Sequence, residues 1–258
     1  MGRKTGFAYM LLVLVFLYVP MLCVVVYSFN VSKSTAIWGG FTLDWYVQLA
    51  GDRELLTALG VSLRVGAMTS LVSVALGTLG AAALANSSGR FARLTQNLLY
   101  LPLVIPEVVL GVALMRLFSA TPLSGGMAAL VLAHSTFCVP YVFILVSIRL
   151  RTIDASVYEA ARDLGAKTFT VFRTVTLPLA LPAIGSGALL ALAMSLDDVV
   201  ISFFVSGPKS QTLPLLIFSA IRLGITPKVN ALCTIVLVIT FAVLGAQYLS
   251  ARRKGDAS

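Results

Sequence analysis

Residues 7 to 29 contain no charged side chain. A helix needs about 20 apolar residues to cross the hydrocarbon core of a bilayer. Five more runs of similar length follow: Ala58–Ala85, Thr95–Ala120, Gly126–Leu150, Ala183–Ser206 and Lys228–Ser250. They are too long for barrel strands, and a backbone inside lipid must satisfy its own hydrogen bonds. The runs therefore predict an all-α polytopic membrane protein with six transmembrane helices. Charged residues make up 11% of the chain, against about 25% in soluble domains.

The net charge of +9 would suit a nucleic-acid binder, but the charges lie at span ends. No nucleic-acid partner is expected. Arg3 and Lys4 before Phe7 mimic a signal peptide. The run is too long for one and lacks a small-residue cleavage site, so it reads as an uncleaved first span. Cys23, Cys138 and Cys233 each fall inside an apolar run. An odd number of thiols at that depth supports neither a disulfide framework nor a metal site, and packing roles are expected.

The chain divides by pattern. Residues 1–57 hold the first span and an outer loop, where Trp38, Trp45 and Tyr46 read as interfacial anchors. Residues 58–250 form a core of five spans, and 251–258 a basic tail. In the second span Ser73, Gly77, Ala81 and Ala85 make a small-residue ladder that lets a neighbouring helix approach. Asn86–Arg93 is a short basic turn. Pro102 and Pro106 should kink the third span, and Gly207–Pro227 reads as a second polar loop. His134, the only histidine, is expected to be hydrogen-bonded inside the bundle, with no catalytic role. Lys and Arg number twelve on the side of both termini and five on the other. That bias puts the termini in the cytoplasm.

One charged element, residues 151–182, lies between the fourth and fifth spans. Ser156 and Glu159 fit a capping box. Val157, Ala160, Ala161 and Leu164 fall on one helical face, and Gly165 suits a left-handed cap. A second short helix from Thr168 should bury Phe169, Phe172 and Val175 and end before Pro178.

Three of the ten acids, Glu107, Asp197 and Asp198, sit in predicted spans. A charge at the helix centre costs roughly 2.5–3.5 kcal/mol on the insertion scale. It is tolerated facing a water-filled cavity or beside a counter-charge such as Arg64, Arg116 or Arg222. The chain contains no G-x-x-x-x-G-K-[ST] motif and no nucleophile–base–orienter set, so no catalytic residues are expected.

Two stretches carry a resemblance. Glu159-Ala160-Ala161, then Gly165, then Val175-Thr176-Leu177-Pro178 after nine residues, resembles the EAA loop of ABC-importer permeases. That family has isoleucine more often than valine at the position of Val175. SLDDVVISFFVSGP from Ser195, TLPLLIFSAIRLGITPKVNA from Thr212 and YVPMLCVVVYSFN from Tyr18 resemble spermidine/putrescine permeases. The resemblance implies a type I importer permease fold in a bacterial inner membrane, with a coupling helix in the EAA loop. It implies that Glu159, Ala160, Ala161, Gly165, Leu177 and Pro178 contact a separate ATPase, which would hold the ATP and Mg. It implies four kinds of partner besides cargo: a second homologous permease, two ATPase copies, an extracytoplasmic binding protein and the lipid. Glu107, Asp197 and Asp198 would line a pathway for putrescine or spermidine. Rival cargoes are ferric ion, opines or another cationic solute. A proton- or cation-coupled secondary transporter would need inverted repeats, which the sequence does not display. A non-transporting scaffold would leave the acids beside kinks unexplained.

Overall fold

The computed structural model describes residues 3–33, 37–85, 87, 89–224 and 226–255. The side chains of the terminal basic residues Arg3, Lys4, Arg252, Arg253 and Lys254 lie outside the described set. So do Asn86 and Ser88 of the predicted basic turn and residues 256–258 of the predicted tail. The described backbone is helical, with only two isolated β-bridges. It forms two compact units, one of residues 1–55 with 217–258, the other of residues 56–216.

In the first unit α1 (Arg3–Tyr27) packs on the final helix of the chain, which in turn contacts α2 (Asp44–Ala50). Residues 6–27 of α1 have a mean hydropathy of 2.7 and bury almost nothing within the chain. A helix apolar all round and left exposed belongs in lipid or against another membrane subunit. The loop after α1 is organised around Asn30, which is fully buried. Its Nδ2 donates to Ile37 O at 2.8 Å, and its Oδ1 accepts from Gly39 N at 2.8 Å. Trp45 Nε1 donates to Asn30 O at 2.8 Å, so this indole has an internal partner.

Asp52 Oδ1 accepts from the N–H groups of Glu54 and Leu55 and so caps the helix that follows. Its Oδ2 accepts from Lys228 Nζ at 2.6 Å. The Lys228 ammonium, then the Leu55 N–H, hold the Asp52 carboxyl below the usual carboxylate range. A carboxyl depressed by folding stabilises above its unfolded pKa and loses that stabilisation as pH falls through the folded one. Lys228 is 38% exposed, so the pair is worth only about 0.2–1 kcal/mol. Lys228→Met should therefore unfold slightly earlier than the parent at pH 7, and the two melting curves should converge as pH drops below about 4. A difference that persists unchanged in acid would rule out the ion pair as its source.

The second unit is built around α6 (Met127–Arg151), two-thirds of whose apolar window is buried. Before it come α3 (Arg53–Ala85), α4 (Arg90–Val104) and α5 (Glu107–Ser119). The ladder works as expected for Ser73, Gly77 and Ala81, which are buried, but Ala85 is exposed. A Cβ on Gly77 would fall 2.8 Å from Val142 Cβ and 2.9 Å from Phe143 N, so α3 lies directly on the backbone of α6. Cys138 is buried on α6, as a packing role requires, and its Sγ faces Ala191 O at 3.6 Å.

The third predicted span is not one kinked helix. α4 and α5 meet at 107°. Ile105, preceding a proline, is extended (φ −76°, ψ 128°), and Pro106 heads α5 with no N–H to continue the α4 ladder. Pro102 stays inside α4.

The loop after α6 holds α7 (Ala155–Asp163) and α8 (Thr168–Val171). Pro178 does not end the second short helix. A π-helical segment, Phe172–Thr176, carries the chain straight into α9 (Leu177–Asp197). The wider turn takes up the missing proline N–H without a break, as π-bulges do elsewhere. The fifth predicted span, in contrast, is interrupted. α9 stops at Asp197, Asp198 is extended (φ −68°, ψ 125°), and α10 (Val200–Val205) follows. Gly207 then sits so close to Gly125 that a Cβ would lie 2.5 Å from Gly125 O. The predicted second polar loop contains a helix, α11 (Leu213–Leu223), whose first N–H bonds Ser62 Oγ at 2.8 Å.

Among the described residues, four helical stretches are long and apolar enough to cross a membrane: 6–27, 53–85, 127–151 and 168–197. The α4–α5 pair, bent by 107°, is either a broken fifth span or a re-entrant loop. The last helix, α12 (Pro227–Gly255), has 29 residues and therefore the length for a sixth.

Candidate functional site

Two places combine polar groups with irregular backbone. The first is the break between α9 and α10. Asp198 Oδ1 accepts from Ile201 N at 3.2 Å, and Oδ2 from Ser202 N at 2.7 Å. Its side chain is only 7% exposed, and Oδ2 lies 3.3 Å from His134 Nε2. His134 is fully buried in α6. Its Nδ1 is 2.7 Å from Ser195 Oγ and its Nε2 3.1 Å from Ser202 Oγ. With a hydrogen on Nε2 the ring donates toward Asp198, while Nδ1 lies within hydrogen-bond distance of the Ser195 hydroxyl. His134 has the hydrogen-bonded role expected of it, with partners that lie far away in sequence. Ser195, Asp198 and Ser202 recur at steps of three and four in an apolar run, and that polar stripe was the available signal.

Asp197, next to it, is exposed, and so is Glu107 at the first position of α5. Neither forms an ion pair with Arg64 or Arg116 among the described residues. The Arg222 guanidinium lies 4.5 Å from the Phe218 ring. α5 and α10 pack together, with Phe204 Cδ2 2.6 Å from where a Gly111 Cβ would stand. Glu107 begins one helix of this pair, and Asp198 precedes the other.

The second place is the loop from α6 to α9. The cap of α7 is Asp154, not Ser156. Its carboxylate accepts from Ser156 N at 2.9 Å, and that bond holds the carboxyl below its ordinary range. Glu159 lies in the second turn, so it completes no capping box. The far end follows the reading closely. Gly165 has φ +79°, Gly165 N donates to Arg162 O and Ala166 N to Ala161 O, a Schellman closure. The apolar face of α7 is left open by the described residues. Leu164 is 89% exposed, Val157, Glu159 and Ala160 are exposed, and Ala161 is half-buried. Phe169, expected inside, is 72% exposed, while Phe172 and Val175 are half-buried. Val171 and Thr176 face inward instead, with Thr176 Oγ1 donating to Val171 O at 3.5 Å. Leu177 is half-buried and Pro178 exposed. Arg149 Nε donates to Leu179 O at 3.0 Å and ties the two ends of the loop together.

Residues 73–255 match the family described as binding-protein-dependent transport system inner membrane component. The chain is 44% identical to the putrescine transport system permease protein PotI of Escherichia coli K12, over 94% of this chain and 89% of that one. It is 38% identical to the spermidine/putrescine transport system permease protein PotC of the same strain, over 98% and 96%. Among solved structures it resembles a chain of a bacterial alginate ABC transporter in complex with an alginate pentasaccharide-bound periplasmic protein. The TM-score there is 0.71 and the identity 17%, over 96% of this chain and 93% of that one, a likeness of fold. A capped helix pair left uncovered beside a membrane-length bundle, together with a match over most of the chain, leads to one assignment: the chain belongs to the inner-membrane permease components of binding-protein-dependent ABC transport systems.

Proposed function

We propose that this chain is one of two permease subunits of an ATP-driven importer for small polyamines, of the putrescine and spermidine class. A separate ATPase docks on α7 and α8 through Val157, Leu164 and Phe169, with Glu159, Ala160, Ala161 and Gly165 shaping that contact and Leu177 and Pro178 leading into α9. An extracytoplasmic binding protein delivers cargo on the other face, and both termini lie in the cytoplasm. Glu107, Asp197 and Asp198 supply the negative character that a polyammonium ion needs to enter a low-dielectric bundle. The observation that carries the cargo reading is Asp197, an exposed carboxylate without an ion-pair partner among the described residues, in a chain 44% identical to a putrescine permease.

A unit charge about 4 Å away at an effective dielectric near 20 is worth about 4 kcal/mol. Neutralising both Glu107→Gln and Asp197→Asn should therefore lower putrescine uptake at least about tenfold in vesicles holding the whole complex. Assembly and basal ATP hydrolysis should stay near parental. Parental uptake in that double variant would remove the cation reading, and uptake without ATP would remove the ABC reading. For orientation, reporters after Lys254 and near Gly165 should signal cytoplasm, and one near Ser210 the outside. Gly165 and Ser210 reporters on one side would refute the proposed topology.

A further inference from the structure

Asp197 and Asp198 are neighbours in sequence with opposite surroundings. Asp198 has both carboxylate oxygens engaged. Two backbone N–H groups of α10 and the His134 ring surround it, and its side chain is nearly buried. Charge-assisted bonds of this kind are roughly twice as strong as neutral ones. Its negative charge also faces the positive end of α10. His134 is equally committed. It holds Ser195 at the end of α9, Asp198 at the break and Ser202 on α10, so both sides of the interruption are pinned to one point on α6. An ammonium ion reaching Asp198 would have to break this clamp and leave His134 and the α10 N–H groups without their partner. Asp197 has no such commitment. It is exposed, and no ion pair offsets its charge among the described residues.

We infer that the two acids are divided in role: Asp197 receives an ammonium group of the cargo, while Asp198 and His134 are positioning residues that fix the α9–α10 break and thereby present Asp197. This rests on the cation-importer reading above.

The test uses the assembled complex in vesicles and follows putrescine and spermidine separately. Asp197→Asn should depress spermidine uptake more than putrescine uptake, because the more highly charged amine depends more on each counter-charge. The ratio should shift about threefold or more. Asp198→Asn and His134→Gln should lower both cargoes by the same factor. Their double variant should be no worse than the poorer single, since the two residues act as one unit, whereas adding Asp197→Asn should multiply the loss. A second arm replaces Cys23, Cys138 and Cys233 and places a lone cysteine by Asp197→Cys or Asp198→Cys. A small cationic thiol reagent should label position 197, and putrescine should slow that labelling. Position 198 should resist it. This arm needs no change at His134, so it decides even where His134→Gln fails to assemble. The division of roles is overturned if Asp198→Asn shifts the cargo ratio, or if putrescine protects position 198 and not 197. If neither acid's neutralisation alters uptake of either amine, the cation-importer reading itself falls, and the division with it.

Discussion

Gly165→Val should lower ATP-driven uptake about tenfold or more while leaving the chain inserted and folded. Gly165 sits at φ +79°, and nothing lies within 4 Å of where its Cβ would be. The obstacle is therefore the backbone itself. The left-handed conformation costs an L-residue roughly 1–2 kcal/mol, and a β-branched side chain is worst placed to adopt it. Relief requires giving up the bonds from Gly165 N to Arg162 O and from Ala166 N to Ala161 O. Leu164 and Phe169, exposed on either side, would then be displayed differently. α7 buries none of its own residues, so global stability should hardly change. Uptake should fall about tenfold or more if the docking contact loses about 1.4 kcal/mol. Gly165→Asn, which tolerates this conformation better, should retain part of the activity. Import at the parental rate by the valine variant would show that the shape of this loop does not matter for coupling.

The second large effect is expected at Gly77, and it concerns stability. A side chain there would meet Val142 Cβ at 2.8 Å and the Phe143 backbone nitrogen at 2.9 Å. A flexible side chain can rotate away, but the backbone of a buried helix cannot. Overpacking a core costs typically about 1–3 kcal/mol. With both helices central to the second unit, Gly77→Val should sit at or above that range. We expect a lower melting temperature in detergent and poor recovery from membranes. Gly185→Ala is the matched control, because no atom lies within 4 Å of its Cβ position. Equal stability of the two variants would mean that α3 and α6 can separate without penalty.

The near-misses of the sequence reading follow a physical pattern. Gly165 was readable because a C-terminal cap needs only its own few residues. The N-terminal cap is ambiguous for the same reason. Ser156 with Glu159 and Asp154 with its own neighbours satisfy equally local rules, and the actual start at Ala155 favours Asp154. Pro102, Pro106, Pro178 and Pro182 look alike in sequence. The structure keeps Pro102 and Pro182 inside helices, breaks the chain by 107° before α5, and absorbs Pro178 with a π turn. What distinguishes them is what packs around each. α10 and α11 were hidden because short helices gain little from intrinsic propensity and depend on tertiary support.

By itself the sequence determined the class of molecule. Apolar runs of span length, charge concentrated near their ends and a spaced EAA-like loop depend on composition and order along the chain alone. The tertiary structure decided which polar atoms meet inside the bundle. His134 reaches Ser195 and Ser202 across 61 and 68 residues. Nothing local in the sequence sets such a meeting. It depends on how α6 packs against α9 and α10, and so on close approaches such as Gly187 on Val142. That packing turns two adjacent, chemically identical aspartates into one enclosed by hydrogen bonds and one left open to solvent, because burial and partners, not residue type, govern what a carboxylate can do.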